Sequence, residues 1–426
     1  MTKIGIICPP ISGHLNPLIA LGQELKIRGH CITFVHVPDI ESKIREAGFN
    51  FQSIGQVDYP VGAMKNYFDQ LSQLRGLAEL RFTLQCGQKL AEMICREAPA
   101  VLKKENIELL LVDQNEPAGS TVAEALGIPF VTICSSLALN REPGIPPVFT
   151  PWHYHHSGWS SLRNQLGYAL FDQIIRPINQ AINQYRRQWQ LSPIRTPDDT
   201  FSQLAQISQQ PPAFDFPRRS LPKCFHYVGP FRNFALDENS LAELKQTQIP
   251  LIYASLGTLH NRKPEIFENI AAACANLDVQ LIISLGGGSR VTEYANLPGN
   301  PKVVEYLPQE ELNQILSQAS LVITHAGFNT VLESFSYGVP VVALPMTMDQ
   351  PATASRISWL KAGEVIPLSQ LTIPKLHQAI KKVLTDNSYH QNAIKLKTSI
   401  HQSGGVIRAA DLIEQVITTG QPICCP

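Results

Sequence analysis

The sequence predicts an α/β protein built from two doubly wound, Rossmann-like domains that face each other across a cleft. Three observations carry that expectation. Short runs rich in Val, Ile and Leu alternate with helical periods almost from the first residue, the rhythm of a parallel sheet covered by helices on both faces. That rhythm breaks near the middle of the chain and then restarts. A length of 426 residues suffices for two such units, each with its own core.

In the first half, residues 3–8, 30–37, 49–54, 109–112 and 129–134 read as strands, with helical stretches at 64–104 and 118–126. Asn16 is placed to cap the first helix with Pro17 at its first position, and Gly29 to close it. Asp39 and Gly48 bracket a second helix. Residues 140–159, which include REPGIPPVFTPWHYHHSGW, read as a long irregular loop of the kind that is usually functional. Helical segments continue to about residue 190, then a proline-rich passage to Pro222 and a short strand at 227–231. In the second half the strands are 251–255, 279–285, 303–306, 321–324 and 339–344, with helices from Pro264, at 310–317 and 329–337, and from Ala352. The expected division is a first domain at 1–235, a linker at 236–248 and a second domain at 249–404. A last helix and tail, 405–426, are expected to pack back on the first domain.

Lys+Arg is 35 and Asp+Glu is 35, a net charge of zero that makes no electrostatic case for nucleic acid. The start MTKIGIICPP enters a strand without a signal-peptide pattern. No apolar run approaches the ~20 residues that cross a bilayer. The nine cysteines, with no C-x-x-C, read as reduced thiols. The expectation is a cytoplasmic protein with no transmembrane segment, peripheral membrane contact being left open.

Chemistry concentrates at strand ends. The strand at 321–324 runs into HAGFNT at 325–330 and then a helix, so that backbone N–H groups at Gly327 and the helix N-terminus can face an anion. His325 and Thr330 add donors. The strand end Ser255, Gly257, Thr258 is expected beside it, the two together forming a diphosphate cradle. Glu333 lies one helical turn beyond Asn329, where a carboxylate can meet the vicinal hydroxyls of a ribose. Asp349 and Gln350 follow the next strand and suit sugar hydroxyls. In the first half, His14 follows the first strand and Asp113 the fourth, which are neighbours in a doubly wound sheet. A His14–Asp113 hydrogen bond would make a general base. Each of these residues alone is more economically read as an ordinary loop or cap residue; the set at consecutive strand ends is not. No dinucleotide fingerprint, P-loop or nucleophile elbow is present, and His153, His155 and His156 lack a metal spacing.

The series Tyr306–Leu307–Pro308–Gln309, HAGFNT, Glu333, Gly338–Val339–Pro340 and Asp349–Gln350 resembles the nucleotide-sugar motif of the UDP-glycosyltransferases of the GT-B fold. The resemblance implies that Tyr306 stacks on the nucleobase where plant members carry Trp, and that His325, Asn329 and Thr330 contact the diphosphate. It also implies Glu333 on the ribose and Asp349 with Gln350 on the sugar. Tyr306, Phe328 and a shorter Pro308-to-His325 spacing depart from the plant pattern. LALNREPGIP, FSQLAQIS, FDFPRRSLPKCFHYVGP and ASLGTL are similar to segments of bacterial zeaxanthin glucosyltransferases. The expected function is inverting, metal-independent transfer of a hexose, glucose by resemblance, from a UDP-sugar to a lipophilic hydroxylated small molecule such as a carotenoid. No cofactor is expected beyond the co-substrate. The aromatic loop at 140–159 would supply an apolar acceptor wall. The alternatives are a phenolic or peptide acceptor, a sugar-nucleotide epimerase, or a non-catalytic nucleotide-sugar-binding protein.

Overall fold

Two all-parallel sheets organise the chain, and both are wound outward from a central strand pair. The computed structural model describes residues 1–74, 76–232, 249–258, 263–287 and 289–425. The expected linker at 236–248 lies outside them, as does Gly288.

The first domain runs β1 (Lys3–Ile7), α1 (Ser12–Ile27), β2 (Cys31–His36), α2 (Glu41–Glu46), β3 (Asn50–Ser53), α3 (Ala63–Gln73), α4 (Leu77–Glu105), β4 (Leu109–Asp113), α5 (Pro117–Leu126), β5 (Phe130–Cys134), α6 (Gly158–Gln188), β6 (Gln206–Ser208) and β7 (Phe225–Tyr227). Its strand order is β3-β2-β1-β4-β5-β6-β7. The second runs β8 (Leu251–Ser255), α7 (Pro264–Cys274), β9 (Gln280–Ser284), β10 (Lys302–Val304), α8 (Gln309–Gln318), β11 (Ala319–Thr324), α9 (Phe328–Ser336), β12 (Val341–Ala343), α10 (Gln350–Leu360), β13 (Gly363–Val365), α11 (Ile373–Thr385) and α12 (Asn387–Gln402). Its order is β10-β9-β8-β11-β12-β13. The order reverses between β1 and β4 in one sheet and between β8 and β11 in the other, the places where such sheets bind ligands. Buried apolar runs such as β4, buried at every position, are what a strand covered on both faces requires.

Several local expectations are corrected. The first helix begins at Ser12 rather than after Asn16, so Pro17 lies inside it and His14 in its first turn. Asn16 is no cap; its Oδ1 accepts from Lys43 Nζ at 2.6 Å. Asp39 sits in a short 3-10 turn and accepts from the Gly62 and Met64 backbone N–H groups. The expected helix at 64–104 is two, α3 and α4, parted at Leu74, whose backbone is extended, and Gly76 at φ +60°. The strand placed at 227–231 is β7, displaced toward the N-terminus. Strands β6 and β13 are three residues each, too short for periodicity to reveal.

The helix α13 (Gly405–Thr419) leaves the second domain and completes the core of the first. Val406, Ala409, Leu412, Ile413 and Val416 are buried with Leu18, Leu21 and Leu25 of α1. Arg28 ties the two helices by bonds of 2.7 Å to Asp411 and Glu414. The domains also share an apolar seam, where Phe214 of the first packs on Phe328 and Phe335 of the second at ring separations of 6.2 and 5.8 Å.

Candidate active site

Between the two switch points lies a cleft of about 420 Å³. His14, Ser255, Gly257, Thr258, Tyr306, Gln309, His325, Gly327, Asn329, Thr330, Glu333, Asp349 and Gln350 all line it. Asp113, the remaining site residue expected from the sequence, is buried behind His14. The arrangement follows from strand pairing: Ile4 to Ile7 of β1 run beside Leu109 to Val112 of β4, so the turns after both strands open at the same place.

The acceptor side centres on His14. Its Nδ1 donates to Asp113 Oδ2 at 2.8 Å, which leaves Nε2 as the basic nitrogen. Burial works against a charged imidazole, yet the Asp113 carboxylate, its hydrogen bond, Asp349 and Glu116 outweigh it and raise the His14 pKa. Burial alone would raise Asp113; His14, Ser135 and the Asn115 backbone N–H reverse this and hold its carboxyl below the usual range. Ser135, which sequence reasoning missed, stands just past β5 with Oγ 2.7 Å from His14 Nδ1, and donates to Asp113. A serine at a strand end carries no signal of its own; only the β4–β5 pairing brings it to the pair.

On the donor side, β8 and β11 pair through Ser255 and Thr324, which sets the two expected turns side by side. The His325 ring fills the gap between them. A Cβ on Gly257 would come within 2.6 Å of that ring and one on Gly327 within 2.4 Å, so any larger residue at either position must displace the His325 ring. Gly257 also has φ +72°, a further demand for glycine. Gly327 precedes α9, whose first N–H groups have no partner within the helix and suit an anion. One turn into α9, Glu333 accepts from Gln309 Nε2 at 3.2 Å and lies 3.9 Å from Arg232. Burial raises its pKa against those two neighbours. Tyr306 is 63% exposed at the mouth, open to a flat ligand. The Gln350 side-chain carbonyl accepts from the Met346 and Thr347 N–H groups at 2.9 and 3.1 Å, so it offers a ligand its amide donors.

Asn329 does something the sequence did not suggest. Its Nδ2 donates across the cleft to the Gly13 carbonyl at 2.7 Å, and its Oδ1 accepts from Gln209 at 2.6 Å. Pro17 explains the first bond: it lacks the N–H that would otherwise pair with Gly13 inside α1. With its side chain so engaged, Asn329 has its backbone N–H, in the first turn of α9, to offer a ligand. Gln209, also missed, follows β6 and donates to the Ser135 carbonyl as well. The aromatic loop at 140–159 lies at the seam between the domains, where its Trp152 carbonyl accepts from Ser355, and its residues are not among those lining this cleft. Phe149 stacks on Phe171, and Tyr154 on Phe216, so these two rings pack onto the protein, while Trp159 is exposed.

A helix N-terminus beside two strand-end glycines, facing a His–carboxylate pair, is an arrangement a glycosyl transfer can use, and the comparisons show a transferase family. The model of the UDP-glucoronosyl and UDP-glucosyl transferase family matches residues 30–407. The chain belongs to this family. Among its relatives, a zeaxanthin glucosyltransferase of Pantoea ananas is 36% identical, over 99% of this chain and 98% of that protein. One of Pseudescherichia vulneris is 34% identical, over 99% of this chain and 100% of that protein. The fold superimposes on a calicheamicin glycosyltransferase with a TM-score of 0.75 at 21% identity, covering 99% of this chain and 100% of the other. The protein is a UDP-dependent hexosyltransferase with the GT-B fold.

Proposed function

We propose that this transferase moves glucose from UDP-glucose to a hydroxyl of a carotenoid-like alcohol, with inversion and without a divalent ion or cofactor. The observation that carries the mechanism is the 2.8 Å His14–Asp113 pair on one side of a cleft whose other side is the α9 cradle. His14 Nε2 takes the acceptor's proton while the hydroxyl oxygen attacks the anomeric carbon. The bond from that carbon to the diphosphate breaks through an oxocarbenium-like transition state, and its electron pair leaves on the phosphate oxygen. Base and leaving group belong to opposite domains, which favours attack from the face opposite departure. Asp113 stays ionised and stabilises the imidazolium. The α9 N-terminus, with His325 and Thr330, meets the charge that develops on the diphosphate, the task a metal performs elsewhere.

The acceptor class is supported by the likeness to the two zeaxanthin glucosyltransferases, not by the aromatic loop. We place the reaction in the cytoplasm, at the surface of the membrane that holds such an acceptor; among the described residues no helix is long and apolar enough to cross one. The deciding assay offers purified protein UDP-glucose, zeaxanthin in detergent and several phenols, with excess EDTA, and reads products by mass spectrometry and anomeric configuration by NMR. A β-linked carotenoid glucoside formed in EDTA is expected from the α-linked donor. Phenolic glucosides alone, in a detergent shown not to inhibit, would remove the carotenoid; restoration of activity only by Mg²⁺ or Mn²⁺ would remove metal independence.

A further inference from the structure

The helix that begins with Gln350 is gripped by the opposite domain along its second half. Ser355 Oγ donates to the Trp152 carbonyl at 2.9 Å. Arg356, fully buried, donates to Asp215 Oδ1 at 2.9 Å, and its guanidinium lies 4.3 Å over the Phe216 ring. The Trp359 ring meets Phe216 and Tyr154 edge-on, with centroids 5.4 and 6.0 Å away. Every one of these partners belongs to the first domain. Asp215 is saturated: it also accepts from Arg218 at 3.0 Å, from Tyr227 at 2.8 Å and from the Phe216 N–H. Truncating one member of such a buried pair strands the other, so the contact resists sliding.

We infer that Arg356, held by Asp215 and braced by Trp359, is a positioning residue that sets where Asp349 and Gln350 stand relative to His14. The inference rests on the reading of Asp349 and Gln350 as contacts to the transferred sugar. A helix is stiff over this length: Arg356 lies six residues beyond Gln350, about 9 Å along the axis. A shift at the seam therefore reaches the sugar end of α10 with little loss. The cradle for uridine and diphosphate stands on β8, β11 and α9, and α9 meets the first domain through its own contacts, Phe214 on Phe328 and Phe335 and Asn329 on Gly13 and Gln209, so loss of the Arg356 contact falls first on sugar placement. This also gives the aromatic loop its role. Trp152 and Tyr154 hold the sugar-side helix rather than an acceptor, and an error of about 1 Å in such placement can cost a hundredfold in rate.

The test compares Arg356→Met, Arg356→Lys, Trp359→Leu and Asp349→Asn in the full-length protein. Calorimetry with UDP reports the cradle, and transfer rates with UDP-glucose and UDP-galactose report sugar placement. The share of donor lost to water is measured alongside. Expected for Arg356→Met is UDP affinity within about twofold of the parent, transfer reduced about 10–100-fold, a narrowed glucose preference and more hydrolysis per transfer. Arg356→Lys should restore part of the preference. If Arg356→Met does not fold, Trp359→Leu reads the same quantities, with a smaller loss. Asp349→Asn altering sugar preference while the folded seam variants keep the parent's preference overturns the inference. Asp349→Asn leaving preference unchanged removes the sugar-contact reading, and the positioning role with it.

Discussion

The basicity of His14 comes from a carboxylate 99 residues away in the chain. His14→Ala is therefore expected to lower turnover about 10²–10⁴-fold while UDP binding, measured by calorimetry, survives. The pH dependence has a definite sign. The base must be neutral to act, so the rate rises with pH as the imidazole loses its proton. Since the His14 pKa is raised, the acidic limb of kcat/KM should have its midpoint above the ordinary 6.5. Asp113→Asn removes the anion that raises it, and should move that midpoint downward while reducing turnover. An unmoved midpoint would mean that another group is being titrated. The lining of the cleft was legible because HAGFNT and Asp349–Gln350 follow successive strands, with Glu333 on the helix between them, all within one short stretch. Ser135 and Gln209 were not, because Ser and Gln are common residues and only the pairing of β4, β5 and β6 gives theirs a meaning.

At the scale of elements, the turns after β8 and β11 are built around one ring. Gly327 has φ −61°, which alanine accepts without strain, so Gly327→Ala adds a single methyl against His325 and nothing else. Loss of UDP affinity of about tenfold or more, some 1.4 kcal/mol, with an unchanged circular dichroism spectrum, is the expected result. Undiminished binding would show that the His325 position does not matter to the diphosphate. Glu333 makes the neighbouring prediction. A ribose offers a carboxylate two hydroxyls and a deoxyribose one, so UDP-glucose should exceed dTDP-glucose by about tenfold in kcat/KM, the worth of ~1.5 kcal/mol for a hydrogen bond to a charged group. Glu333→Gln should shrink that ratio.

For the molecule as a whole, α13 is the element whose place matters most, because it returns to close the first domain's core. Leu412 is fully buried there, and Leu412→Ala should cost about 2–5 kcal/mol, seen as a lower unfolding midpoint in denaturant. A chain ending before Gly405 would expose that core face and is expected to lose the first domain's fold, although every residue of the His14–Asp113–Ser135 group would still be present. Retention of native-like near-ultraviolet circular dichroism by such a chain would show that the helix is an appendage.

The sequence by itself determined the two doubly wound sheets, their switch points and the cradle beside a His–Asp pair. These depend on short-range signals: buried runs, strand-end glycines and the fixed hand of parallel crossovers. Tertiary structure alone decided what the long segments do. The residue types of 140–159 suit an apolar wall and a packed seam equally, and only the positions of Phe216, Ser355 and Trp359 choose the seam. Asn329 likewise has the chemistry of a phosphate contact, but its side chain turns to Gly13 because Pro17 leaves that carbonyl without a helical partner. A side chain's chemistry limits what it can bind, and its choice among those partners is made by groups far off in the chain whose own hydrogen bonds must be met.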